Sequence, residues 1–346
     1  MGKGIRVFCL SAGMLIVAVS LYGFFLLQGR LGLPSETNMP ELLKNKDVQV
    51  RMNGSQVKSM MDIEFLLSQK RIQNESTVIL QINGAEQEVK LISFYARTPF
   101  LFIYLAIGIL CAAIGFVVFM LRPLENKAQI FYWGSLAFAS SIIISGGYHC
   151  LNDNVLSLLP GLFFYFLYPF APALLVHFSL TFTDKSRSSL LYFIYLPALV
   201  FAAGLETSFL LSAYRSSLTM YNMYEFLFYF FRFFVLISVL MAFAVFVYSY
   251  KQTELEVPRA QLKWILFGLA AGLSPFLLLY QFPQVLGFAP FISEELSAIF
   301  FIAIPVAFSF AIIKFKLMDI ELIINNSLVY GFLTVFTVAL YLFSVF

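Results

Sequence analysis

Ionisable groups are scarce inside the long apolar stretches of this chain, so the few that occur there are the first candidates for chemistry. Two stand out, Glu206 and Arg232. A charged side chain within a membrane span is expensive and usually marks a functional site. Counted from the expected outer ends of their spans, both lie roughly 11–12 Å deep at 1.5 Å per residue. Equal depth on consecutive antiparallel helices predicts a partly buried Glu206–Arg232 ion pair. The alternative is that Arg232 reaches outward to the interface while Glu206 stays neutral. An aromatic tract surrounds Arg232, beginning at Tyr221 and Tyr224 and running to Phe234. It reads either as an interfacial anchoring belt or as an apolar pocket suited to a lipid or a prenylated peptide. In the pocket reading, Glu206, Tyr221, Tyr224 and Arg232 are the ligand-binding candidates.

Catalytic chemistry is hard to build from the remainder. His149 and His177 are the only histidines, and both lie in or beside apolar spans. Neither has a cysteine or carboxylate cluster nearby, so no metal site and no cofactor are expected. Cys9, Cys111 and Cys150 fall within or at the ends of apolar spans and read as small packing residues. Pro169 and Pro172 are expected to kink the fourth span and free carbonyls for neighbouring groups.

The positioning elements are membrane helices. Apolar residues make up 60% of the 346 and charged residues only 12%, about half the charge of a soluble domain. The net charge of +3 is too small to argue for nucleic acid. Runs near the roughly twenty residues needed to cross the hydrocarbon core occur nine times. They cover 5–27, 99–121, 128–148, 155–182, 190–214, 226–250, 264–281, 296–313 and 328–346. One set of span ends carries eleven basic residues, among them Lys3, Arg6, Arg122, Lys127, Lys251 and Lys314, whereas the opposite short loops carry only Arg215. This asymmetry puts the N-terminus in the cytoplasm of a cell membrane. The last apolar run ends the sequence without a charged anchor, which predicts a longer protein with a further crossing.

Between 29 and 97 the composition turns polar, and a small α+β domain outside the cytoplasm is expected. Val48 to Met52 alternates apolar and polar residues before Asn53-Gly54, and Val78 to Ile82 runs into Asn83-Gly84. Both read as strands entering tight turns. Met60, Ile63, Leu66 and Leu67 have helical spacing, which predicts a helix near 59–69. The order of "VQVRMNGSQV", "DIEFLLSQK" and "TVILQINGAEQEVKL" resembles the C-terminal half of a PDZ domain. PDZ domains grip a peptide C-terminus with a Gly-rich loop leading into an edge strand. The comparable tract here, Gly29 to Leu33, lies directly against the first span. The plainer alternative is an α+β spacer domain.

Three further stretches carry a broader resemblance: "YPFAPALLVHFSLTF", "PRAQLKWILFGLAAGLSPFLLLY" and "FSFAIIKFKLMDIELIINNSLVYGFLT". Together they resemble the membrane region of multi-span, PDZ-containing bacterial sensor histidine kinases, a group that includes competence-pheromone receptors. The specific part runs from Lys314 to Gly331, and Asn326 departs from it where a basic residue is expected. The resemblance implies a phosphorylated-histidine helix pair and an ATP-binding domain after the membrane region, with a homodimer formed through that kinase part. None of this lies within the 346 residues, so the chain itself carries no catalytic residue. After Lys314 and Lys316, the residues Leu317, Ile320, Ile323 and Ile324 recur at helical spacing while Asp319 and Glu321 face elsewhere. That describes an amphipathic relay helix on the inner surface, or a passive connector.

The expected fold class is an all-α polytopic membrane protein of about nine spans with one small extracytoplasmic α+β, PDZ-like domain. Its parts are an anchor (1–28), the domain (29–97), a seven-span sensor region (98–313), the linker (314–327) and a truncated last span (328–346). The expected function is a receptor for an extracellular or membrane-borne signal, peptide or lipid-like. The alternative is a transporter or channel, which inverted repeats would favour; none is legible. An intramembrane enzyme would need a clustered acid, base or metal set.

Overall fold

A computed structural model describes residues 3–34, 37, 39–44, 48–68, 77–98, 100–145, 155–183, 188–215 and 218–315. In hydrocarbon every backbone N–H and C=O needs an internal partner, so apolar sequence of this length folds as helix. Among the described residues, six helices are long and apolar enough to cross a membrane. They are Gly4–Gly29, Leu101–Leu121, Leu156–Phe182, Leu190–Tyr214, Tyr221–Gln252 and Glu256–Val285. The chain is a multi-pass helical membrane protein. The bundle comprises α1 (Lys3–Leu26), α5 (Leu101–Leu121), α6 (Asn126–Ile144), α7 (Leu159–Phe182), α8 (Ser188–Arg215), α9 (Leu218–Gln252) and α10 (Glu256–Pro275). A π-helical turn, Phe276–Gln281, carries α10 into α11 (Phe282–Val285). After α12 (Glu294–Ile299) and a 3₁₀ turn, α13 (Ala303–Phe315) returns along α10.

Among the described residues the count of nine is therefore not reached. The third expected span is α6, which has 19 residues but is diluted by Asn126, Lys127, Gln129 and several serines. Tyr132, Leu136 and Ala137 on it are completely buried. A helix enclosed by other helices does not need a lipid-facing apolar surface. The eighth span is broken into α12, the 3₁₀ turn and α13, and its apolar part, Leu296–Ile312, is too short to qualify. The ninth lies outside the described residues, as does the linker from Lys316 onward.

Small side chains allow the helices to approach closely, as membrane packing requires where burial of apolar area supplies little drive. Gly268 and Gly272 are one turn apart on α10 and face α13. A Cβ on Gly268 would stand 2.6 Å from the Ala307 Cβ, and one on Gly272 would stand 2.5 Å from Ile304 Cγ1. A Cβ on Gly108 of α5 would likewise run into the Ile143 side chain of α6. Polar side chains add specific ties. Ser20 of α1 donates to Ser140 of α6 at 2.8 Å, and the Tyr132 hydroxyl donates to the Cys9 carbonyl at 2.9 Å.

The polar insert folds as a separate small core. Strands β2 (Val50–Met52), β3 (Ser55–Val57), β4 (Thr77–Ile82) and β5 (Ala85–Lys90) form an antiparallel sheet ordered β3-β2-β4-β5. Both hairpins turn on Asn-Gly, with φ of 47° and 82° at Asn53-Gly54 and 50° and 88° at Asn83-Gly84. That pair of positive φ values is what a two-residue I′ turn demands. Helix α3 (Met60–Ser68) covers the sheet with Ile63 and Leu67 against Val50, Met52, Val78 and Leu80. A second, two-stranded ladder joins β1 (Leu31–Gly32) to β6 (Ile92–Ser93), pairing Leu31 with Ser93 where the chain leaves and re-enters the bundle. The Gly29-to-Leu33 tract is thus already paired. Its cation, Arg30, is 5% exposed, 4.2 Å over the Phe94 ring and 3.5 Å from Glu64.

Gly268→Leu drives a branched side chain into α13 and is expected to destabilise the bundle by about 1–3 kcal/mol. Thermal unfolding in detergent checks it, with the lipid-facing Phe267→Leu as the control expected to change little.

Candidate functional site

The site follows from where α9 begins. Its first residue is Leu218, eight before the expected start of that span. Arg232 is therefore fourteen residues into the helix, roughly 21 Å along it at 1.5 Å per residue. The ring of Phe201 on α8 meets Phe231 and Phe234 on α9, with both centroid separations 5.6 Å. Arg232 is level with Phe201, and Glu206 stands more than one turn nearer the α+β domain. The expected Glu206–Arg232 pair is not formed. Among the described residues no cation lies within ion-pair distance of Glu206, which is partly exposed on α8. The Arg232 guanidinium instead lies 5.3 Å from the centroid of Phe228, one turn back on its own helix.

Arg232 forms part of the wall of a cavity of about 230 Å³ between α5, α6, α7, α9, α10 and the α12–α13 segment. Most of the lining is apolar, including Phe138, Leu175, Leu273 and Phe301. Polar lining groups include Tyr104 of α5 and Ser135, Ser141 and Ser145 of the α6 segment, and, with Arg232, Tyr168 of α7, Tyr280 and Gln281 of the π-helical turn, and Glu294. Tyr280 donates to the Glu294 carboxylate at 2.6 Å, and the Gln281 side chain donates to the Arg232 carbonyl at 3.4 Å.

Proline shapes this end of the cavity. Pro283 has no N–H to give the Leu279 carbonyl four residues before it. That carbonyl accepts from the Phe291 amide at 2.9 Å. The helix widens to π geometry over Phe276–Gln281, a feature often found at functional positions. Across the cavity, α7 contains Pro169 and Pro172, and Pro172 lines the wall.

Tyr221 and Tyr224 are fully buried but do not line the cavity. They link it to the α+β domain. The Phe65 ring of α3 stacks on Tyr221 with centroids 4.4 Å apart, Tyr221 stacks on Tyr224 at 5.1 Å, and Tyr224 meets Phe228 at 5.6 Å. Phe228 then carries the Arg232 cation. Beside this column the Ser59 hydroxyl donates to the Glu225 carboxylate at 2.8 Å. Ser59 also caps α3 by accepting from the Asp62 amide at 3.1 Å, while Asp62 accepts from the amides of Lys58 and Ser59.

The structure thus brings three of the four sequence candidates, Tyr221, Tyr224 and Arg232, into one path and leaves Glu206 off it. Sequence reading missed Tyr168, Tyr280, Gln281 and Glu294, which lie on other helices. The Pro275–Pro283 spacing was their one local signal. His177 is hydrogen-bonded to the Tyr195 hydroxyl at 2.7 Å and serves packing. Lys314 is exposed with its ammonium 5.3 Å from the Phe310 ring centroid. Lys316, Asp319, Ile320 and Ile323 lie outside the described residues.

Phe65→Ala removes a ring that is 1% exposed and should cost about 3–5 kcal/mol of docking and domain stability. Faster hydrogen exchange across α3, with α13 unchanged, is the expected reading. Glu206→Gln, with no pair to break, should shift stability by less than about 0.5 kcal/mol.

No family model matches the chain, and no characterised protein or solved structure is significantly similar to it.

Proposed function

We propose that this chain is the membrane receptor portion of a signal-transducing histidine kinase, with its N-terminus in the cytoplasm and its α+β domain outside. The observation that carries the reading is the column from the buried Phe65, Tyr221 and Tyr224 through the half-buried Phe228 to Arg232. A domain docked by such a column cannot shift without moving α9, and α9 forms one wall of the cavity. Basic residues at one set of helix ends support the orientation. The motif from Lys314 to Gly331 supports the kinase output, which lies outside this sequence, and a dimer formed through it. The PDZ-like reading of the domain rests on its sequence order. With the Gly29-to-Leu33 tract paired to β6, peptide-end capture there is not part of the proposal. The signal enters at the domain surface or from the membrane.

A second reading, transport, is favoured by one feature. An interrupted helix beside a membrane cavity with a charged residue is the kind of site transporters use, and the π turn beside Arg232 fits that description.

The test uses the full-length gene product in inverted membrane vesicles with labelled ATP. Acid-labile phosphohistidine is expected, and Phe65→Ala or Glu225→Gln should change its level by about fivefold or more. Absence of phosphohistidine overturns the kinase output, and an unchanged level in both variants overturns the coupling. Solute counterflow in proteoliposomes would establish the transport reading instead.

A further inference from the structure

We propose that the cavity binds a single-chain amphiphile with an anionic head, a carboxylate or phosphate, held on the Arg232 guanidinium with its tail along the apolar wall. The charge balance is the first ground. Arg232 interacts electrostatically with Glu225 two turns back on α9, but among the described residues no carboxylate lies within ion-pair distance of it, and its cation rests on the Phe228 ring. A charge at this depth normally finds a counter-charge in the protein. A guanidinium offers a planar fork of donors matched to the two oxygens of a carboxylate or phosphate.

The shape is the second ground. The wall is polar around Arg232, with Tyr168, Tyr280, Gln281 and Glu294, and mostly apolar elsewhere apart from Tyr104, Ser135, Ser141 and Ser145, a division that suits a single-tailed amphiphile. Its volume of about 230 Å³ is several times the ~30 Å³ share of one water in the liquid, and most of its wall offers water no partner. Tyr168 and Gln281 stand at the polar end with Arg232, so an anionic head there has hydrogen-bonding neighbours as well as a cation.

Glu294 sets the selectivity. It is the acid at this end, exposed, and accepts the Tyr280 hydroxyl at 2.6 Å. Its charge opposes an incoming anion and disfavours heads of high negative charge. Removing it should therefore tighten binding, the opposite of what a cationic ligand would show.

The signalling consequence of the site rests on the receptor reading, but occupancy does not, and the two are measured apart. The protein is placed in phosphatidylcholine nanodiscs and titrated with carboxyl-labelled decanoate, decyl phosphate and decanol, with empty nanodiscs as background. Saturable decanoate binding is expected, with decanol about tenfold weaker or worse. Arg232→Gln should lose at least about tenfold, Arg232→Lys should recover part of it, and Glu294→Gln should tighten it. A diazirine-bearing decanoate should cross-link to peptides of the helices that line the cavity, α5, α6, α7, α9, α10 or α13. Should Arg232→Gln fail to fold, Leu175→Trp fills the tail space without touching the cation and must also abolish binding. Preference between decanoate and decyl phosphate assigns the head to a free fatty acid or to a lipid phosphate, and either supports the site. Decanol binding as tightly as decanoate, unchanged binding in a folded Arg232→Gln, or cross-links only elsewhere overturns it. If decanoate binds as expected but leaves phosphohistidine in the full-length protein unaltered, the receptor reading falls and the site stands.

Discussion

In hydrocarbon no solvent can complete a hydrogen bond that the backbone leaves open, and this constraint governs how the helices here bend and where space is left between them. At Pro283 the constraint is tested, because the Leu279 carbonyl loses its helical donor. The Phe291 amide reaches back to it, the turn widens, and Tyr280 and Gln281 are carried to the edge of the cavity. In α7, Pro169 and Pro172 leave carbonyls open in the same way on the facing wall. At Gly268 and Gly272 of α10, by contrast, the helix comes into close contact with α13. The proline-altered segments of α7 and of the π-helical turn both border the cavity.

Helix α9 joins the two parts of the molecule. At one end it supports the α+β domain through Tyr221 and Glu225, and further along it presents Arg232 to the cavity. Each stacked ring pair in the column contributes about 0.5–1.5 kcal/mol beyond burial. Only the Phe65–Tyr221 contact, with the Ser59–Glu225 hydrogen bond beside it, crosses from the domain to α9; the other two lie within α9 and extend the path to Phe228. The helix holds the guanidinium against Phe228, so its position is fixed by the helix as well as by its own rotamers.

Local chemistry was legible in the sequence and distant partnership was not. Asn53-Gly54 and Asn83-Gly84 announce their turns because few other residue pairs accept two positive φ angles cheaply. The apolar spacing of Ile63, Leu66 and Leu67 sufficed to place α3. The depth of Arg232 was misjudged because Leu218 to Glu225 mixes Thr, Asn, Tyr and Glu and reads as a loop by hydropathy. That stretch forms the first two turns of α9, with Tyr221 and Tyr224 buried and Tyr221 stacked on Phe65 of the docked domain. Helix α6 reads from its sequence as an ordinary span because its serines and alanines do not reveal that they face other helices. The grouping of Arg232 with Tyr168, Tyr280 and Glu294 depends on how separate helices pack, which no local pattern encodes.

The Ser59–Glu225 hydrogen bond joins residues 166 positions apart, and that separation has a consequence during synthesis. At the usual 5–20 residues per second, the insert emerges roughly 10–30 s before the helix on which it docks. Through that interval the ring of Phe65 has no cover, and the Ser59 hydroxyl can cap α3 but has no carboxylate to receive its proton. The nascent domain must wait on the surface of the bilayer with an aromatic face open to the membrane and to other chains. Assembly is thus ordered by the ribosome: the hairpins can close at once, whereas the face of α3 is completed only when α9 has been inserted.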